Sequence, residues 1–154
     1  MNAPHASSSP VGGASAESST HSIVLYDGEC GFCNASVRFL IKRDPHAHFR
    51  FAAQQSEVAQ SIIKRAGWTG PLPDSVILLE PLGEGYRIRI MSDASIAIAT
   101  QLGFPWSLAA IARVLPLRLR NAAYKLLAKH RYKLLGKNET CPLPDEATRA
   151  RFLS

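Results

Sequence analysis

Two periods of apolar residues run along this chain, and the changes between them mark its elements. His21-Ser22-Ile23-Val24-Leu25-Tyr26-Asp27 is a short β-branched apolar run, which predicts a buried strand broken by Gly28-Glu29. From Gly31 to Lys42 the apolar positions Cys33, Val37, Leu40 and Ile41 fall at offsets 0, 4, 7 and 8, one face of a helix that Asp44-Pro45 ends. Phe49-Arg50-Phe51-Ala52-Ala53 alternates as a second strand, and Val58, Ile62 and Ala66 predict a second helix stopped at Gly67. Beyond the Pro71–Asp74 loop, Ser75–Glu80 is the strongest strand pattern. Gly83-Glu84-Gly85 turns it into the alternating Tyr86-Arg87-Ile88-Arg89-Ile90. Ser92-Asp93 predicts the N-cap of a helix over Ala94–Leu102. A further helix is expected over Trp106–Val114. The last spans Leu117–Leu135, with Leu119, Ala122, Ala123, Leu126, Leu127 and Leu134 on one face.

Strand, helix, strand, helix, hairpin and helices together predict an α/β domain. A βαβ unit and an antiparallel hairpin share a mixed sheet, with a helical C-terminal extension. Residues 1–21 are mostly Ser, Ala, Gly and Pro, with Glu17 as the one acid, and are expected to form a disordered tail. The domain is expected over 22–136, followed by a tail over 137–154 that is packed or partly ordered.

Composition narrows the function classes. A length of 154 residues suits one domain, and 46% apolar with 19% charged residues excludes global disorder. The net charge of +6 would suit an acidic partner but fixes no fold. No apolar run approaches the ~18 residues of a membrane span. The first residues lack the basic and apolar stretches of a secretory signal, so a cytoplasmic location is expected. Three cysteines in such a chain point to redox or metal chemistry rather than to a disulfide framework.

Cys30-Gly31-Phe32-Cys33 sits where the first strand hands over to the first helix. Two cysteines on one helical turn can meet the geometry of a disulfide. Cys30 falls where free backbone N–H groups and the positive end of the helix dipole favour thiolate. Cys33 belongs to the apolar stripe and is expected to be less exposed. That asymmetry assigns Cys30 to attack on a substrate disulfide and Cys33 to resolution of the mixed disulfide. Asp27, three residues before Cys30, has two readings: a base that takes the proton of Cys33, or a turn residue capping the loop. The whole element order, a βαβ unit followed by a hairpin and a helix, is compatible with a thioredoxin-like arrangement with a helical C-terminal extension.

Tyr26-Asp27-Gly28-Glu29-Cys30-Gly31-Phe32-Cys33-Asn34 resembles the signature of the DCC family, predicted thiol-disulfide oxidoreductases named for Asp-x-x-Cys-x-x-Cys. Val37-Arg38-Phe39-Leu40, Phe49-Arg50-Phe51-Ala52, Ser92-Asp93-Ala94 and the stretch from Tyr124 through Arg131-Tyr132 to Gly136 are similar to stretches of that family, so the resemblance covers about residues 23–136. It implies a thioredoxin-like fold and disulfide reductase or oxidoreductase activity. The implied partners are a disulfide-containing protein or a low-molecular-weight thiol. No resident cofactor is expected beyond the cysteine pair, with glutathione or a dithiol as reductant. Thioredoxins complete their site with a cis-proline before the third strand. Here Pro73 stands further back, so that feature is either shifted or missing.

Other readings compete. Cys30, Cys33, His46 and His48 imitate the opening of a zinc finger, but the two histidines are too close together and a helix pattern fills the interval, so no metal is expected. From Arg113 to Lys137 there are eight Lys or Arg and no acid. This is either a basic amphipathic helix for a membrane or phosphates, or an ordinary solvated face whose leucines pack inward; the second reading is preferred, and nucleic acid is not expected as a partner. Ser92-Asp93 is either a plain N-cap or, as in glutaredoxin-like proteins, a grip on the carboxylate of glutathione. Cys141 reads as an isolated tail thiol.

Overall fold

β1 (Ser22–Tyr26) is buried at every position because both of its faces are covered. The computed structural model describes residues 20–135 and 146–153. β1 runs parallel to β2 (Phe49–Ala53) and antiparallel to β3 (Ile77–Leu82), which pairs antiparallel with β4 (Gly85–Ile90). The four strands lie in the order β2-β1-β3-β4. Gly83, at φ 60°, supplies the left-handed backbone of the β3–β4 turn.

The pleat sends Val24 and Tyr26 to one side and Ile23 and Leu25 to the other. Val24 and Tyr26 meet Val37 and Leu40 of α1 (Gly31–Arg43) and Ala94, Ala97 and Ile98 of α3 (Met91–Gln101). Ile23 and Leu25 meet Ala59, Ile62 and Ile63 of α2 (Glu57–Arg65). This is the thioredoxin-like layering, with the βαβ unit opening directly into α1.

The C-terminal stretch closes the edge of the sheet. After α5 (Glu146–Arg149), the Arg151 carbonyl accepts the Phe51 N–H at 2.8 Å and the Leu153 N–H donates to the Phe51 carbonyl at 2.8 Å. Phe152 thereby bridges Phe51 in parallel, and its ring packs on Tyr26 and Phe51. The buried Arg151 guanidinium is paired to Asp44 Oδ2, while Asp44 also accepts the backbone N–H groups of His48 and Phe49, each at 3.0 Å. Burial pulls the Arg151 guanidinium below its ordinary pKa, and the Asp44 charge and hydrogen bond pull it back. Residues 146–153 are packed against the sheet. The expected disordered tail lies, but for Thr20 and His21, outside the described residues, as does Cys141.

Four expectations change. β3 starts at Ile77 rather than Ser75, and Trp106–Val114 is a 3₁₀ helix. α3 starts at Met91, so Ser92 and Asp93 lie inside its first turn, and its N-cap, Ile90, makes no side-chain bond. The fourth change concerns α4 (Leu117–Leu135), which lies against α1 and α3. Of its expected inward stripe, Leu119, Ala122 and Leu126 are exposed, Ala123 and Leu127 border an apolar cavity between α4 and the rest of the protein, and the side chain of Leu134 is outside the described set. The row that faces the protein is instead Arg120, Asn121, Tyr124 and Ala128. The helix docks through polar bonds: Ser92 Oγ donates to Asn121 Oδ1, and the Val76 N–H donates to the Tyr124 hydroxyl at 3.0 Å.

Candidate active site

The turn between β1 and α1 is built from its own side chains. Asp27 Oδ1 accepts the Glu29 N–H at 3.0 Å, an Asx turn, and also accepts Gln55 Nε2 at 2.8 Å. The other end of the same amide, Gln55 Oε1, accepts the Gly28 N–H at 3.2 Å. A Cβ on residue 28 would stand 3.1 Å from Ala53 Cβ, so glycine lets the turn lie on the end of β2. From beneath, Asn34 Nδ2 donates to the Gly28 carbonyl at 3.0 Å. The Oδ1 of this buried amide has no hydrogen-bond partner among the described residues.

Cys30 is the N-cap of α1, in extended backbone, and its Sγ accepts the Cys33 N–H at 3.4 Å. Neither Cys30 nor Cys33 is in a disulfide. The expected exposure is reversed: Cys30 is 0% exposed, whereas Cys33 is half-buried. The cap bond explains this, because it turns Sγ of Cys30 back over the first helical turn. Cys33 sits at the margin of the apolar stripe and borders a cavity of about 720 Å³.

That cavity lies between the α1–α3 layer and the C-terminal helices, and its walls are almost wholly apolar. Phe39 and Trp106, edge to face with centroids 5.0 Å apart, tie the 3₁₀ segment to α1. The Arg43 guanidinium lies over both rings. Arg120 lines the cavity with its side chain only 12% exposed, and its Nε and Nη1 have no hydrogen-bond partner among the described residues. Asp93 Oδ1 stands 4.0 Å from Nη1. The other oxygen of Asp93 accepts Arg89 Nη1 at 2.7 Å, and Arg89 Nε reaches Glu80 at 2.6 Å. The Glu80 and then the Asp93 hydrogen bonds raise Arg89 above its ordinary pKa.

The structure thus brings Asp27, Cys30 and Cys33 together at one turn, and Ser92 and Cys33 both line the cavity. Asp93 is engaged with Arg89 rather than free at a helix terminus. Pro73 does not line the cavity, and the one cis peptide bond among the described residues is Phe104–Pro105, so no cis-proline precedes β3. In its place the N–H just before the strand, at Val76, is taken by Tyr124 of α4. His46 and His48 pack on each other 5.8 Å apart. No group of three His, Cys, Asp or Glu among the described residues is arranged to hold a metal ion. Sequence reading missed Gln55 and Arg120, and it named Asn34 and Tyr124 only within family-like stretches, without a role. Asn34, one turn after Cys30 on the buried side of α1, carried a visible signal; Gln55 carried none.

A family model described as DCC1-like thiol-disulfide oxidoreductase matches residues 24–137 of the chain. The chain is 37% identical over 131 residues to Uncharacterized protein YuxK of Bacillus subtilis, covering 85% of this chain and 93% of that protein. It is 33% identical over 122 residues to DCC family protein At1g52590, chloroplastic, of Arabidopsis thaliana, covering 79% of this chain and 69% of that protein. No solved structure matches it.

Proposed function

The chain belongs to the DCC1-like thiol-disulfide oxidoreductase family, and from that premise we propose that Cys30 and Cys33 are its redox pair and reduce a disulfide by exchange. The observation that carries this reading is the cap bond, which holds the sulfur of Cys30 and the backbone of Cys33 in one helical turn. The thiolate of Cys30 attacks one sulfur of the substrate disulfide. That S–S bond breaks, and one substrate thiolate leaves. Cys33, deprotonated with the help of Asp27, then attacks the Cys30 sulfur and releases the second substrate thiol. The pair ends as a disulfide, the substrate as two thiols, and glutathione or a dithiol returns the pair to its reduced state.

Access to Cys30 requires the turn over 27–29 to move. Its bonds to Gln55 are exposed and weak enough to break and reform. The partner is a disulfide on a protein or a low-molecular-weight thiol in a reducing, cytoplasmic compartment, and the apolar cavity beside Cys33 suits an apolar group next to that disulfide.

Cysteine variants test the reading. Cys30→Ser is expected to abolish reduction of a small disulfide, while Cys33→Ser accumulates a mixed disulfide detectable by intact mass. Full activity of Cys30→Ser, or a mixed disulfide trapped on Cys33 in that variant, would overturn the assignment.

A further inference from the structure

We propose that the outward face of the 3₁₀ segment and α4 is a docking surface for an anionic lipid bilayer. The face is open to solvent among the described residues. Phe104 is 83% and Val114 86% exposed, and Leu108, Ile111, Leu119 and Leu126 are each more than half exposed. Monomeric soluble proteins rarely leave so many large apolar side chains together in water. The helix needs none of them to hold its place, because its inward row of Arg120, Asn121 and Tyr124 does that.

Charge selects the occupant. No Asp or Glu occurs between Asp93 and Glu139, and eight of the chain's 18 Lys and Arg fall there. The ten remaining Lys and Arg stand against twelve Asp and Glu, a net of −2. The whole positive charge of the chain is therefore carried by the segment that also exposes the leucines. Arg113, Arg118, Lys125, Lys129 and Lys133 are exposed on it. A second copy of the chain would bring like charge onto like. Nucleic acid would reward stacking aromatics rather than aliphatic side chains. An anionic membrane rewards both features, with hydrocarbon for the leucines and headgroup charge for the lysines. No helix among the described residues is long and apolar enough to cross a bilayer, so the mode is peripheral.

The surface stands apart from the redox reading, and its test uses the full chain with both cysteines present. Cosedimentation with phosphatidylcholine vesicles is compared with phosphatidylcholine–phosphatidylglycerol vesicles. Binding to the anionic vesicles is expected to be at least about ten-fold tighter and to fall as salt rises from about 0.1 M to about 0.5 M. Lys125→Gln/Lys129→Gln/Lys133→Gln should lose about ten-fold or more of that affinity, and Val114→Asp, at an exposed position, should lose it comparably. Reduction of a small neutral disulfide in solution should be unchanged in both variants. Equal binding to the two vesicle types, no binding to either, or an unaffected Val114→Asp would overturn the proposal. So would a stable dimer that Val114→Asp dissociates, or single-stranded RNA bound more tightly than vesicles.

Discussion

Replacing Asp44 by Ala should be the most damaging single change that leaves the cysteine pair untouched. Its side chain is 2% exposed and satisfies three donors: the Arg151 guanidinium and the N–H groups of His48 and Phe49. Removing the carboxylate leaves a guanidinium with a side-chain exposure of 9% without its counter-charge and two backbone donors without an acceptor. Breaking a buried pair in this way costs roughly 3–5 kcal/mol. Arg151→Met should cost less, about 2 kcal/mol, because the carboxylate keeps its two N–H donors and the methionine can lie on the Phe51 ring now under the guanidinium. In urea unfolding followed by circular dichroism, Asp44→Ala should shift the midpoint the further of the two. The melting temperature should fall by about 10–20 °C, taking a few degrees per kcal/mol for a domain of this size. The double variant should cost less than the sum of the singles, with a coupling of about 1–3 kcal/mol. If Asp44→Ala costs under about 1 kcal/mol, or if the two changes simply add, the pair does not hold the C-terminal stretch to the sheet.

Gly28→Ala should destabilise by about 1 kcal/mol and slow exchange, because the new methyl meets Ala53 Cβ at 3.1 Å; unfolding curves and single-turnover reduction measure the two effects. Tyr124→Phe removes the acceptor of the Val76 N–H and should cost about 1–2 kcal/mol in the same unfolding assay, with loosening at the start of β3 seen as faster amide exchange. Asp27→Asn retains an oxygen for the Glu29 N–H and for Gln55, so its stability should change by less than about 1 kcal/mol. Rapid quench with thiol trapping should then show the mixed disulfide forming at a near-normal rate and accumulating. Equal rates for both steps in variant and parent would leave Asp27 as a turn residue.

The sheet was legible because its constraints are local. Ile23–Leu25 reads as a strand buried on both faces, and Val37 and Leu40 mark the side of α1 that lies on it. The cysteine turn was legible because strand, break and helix follow one another within a dozen residues. What failed were the inferences that needed a partner from elsewhere. Hydrophobic periodicity brought only Ala123 and Leu127 of the α4 stripe to the cavity wall and missed the docking row, which is held by Asn121 and Tyr124, whose partners Ser92 and Val76 lie 29 and 48 residues away. Exposure of the two sulfurs was inverted because an apolar stripe says which side of a helix is buried. It says nothing of a cap side chain folding back over the first turn. The Gln55 bridge could not be read from its neighbours at all, as its amide reaches across 27 and 28 residues to Gly28 and Asp27.

Fastening β2 with residues 151–153 has a consequence for biogenesis. Phe51 and Phe152 are about a hundred residues apart, so a chain emerging from the ribosome has made all four strands before β2 receives its outer neighbour. During that interval the N–H and carbonyl of Phe51 present an open sheet edge, a template for pairing with another nascent chain. A product that stops short of Arg151 would retain its cysteines and its helices yet carry that edge permanently. Products that lack residues 151–153 should therefore be found in aggregates rather than among folded molecules.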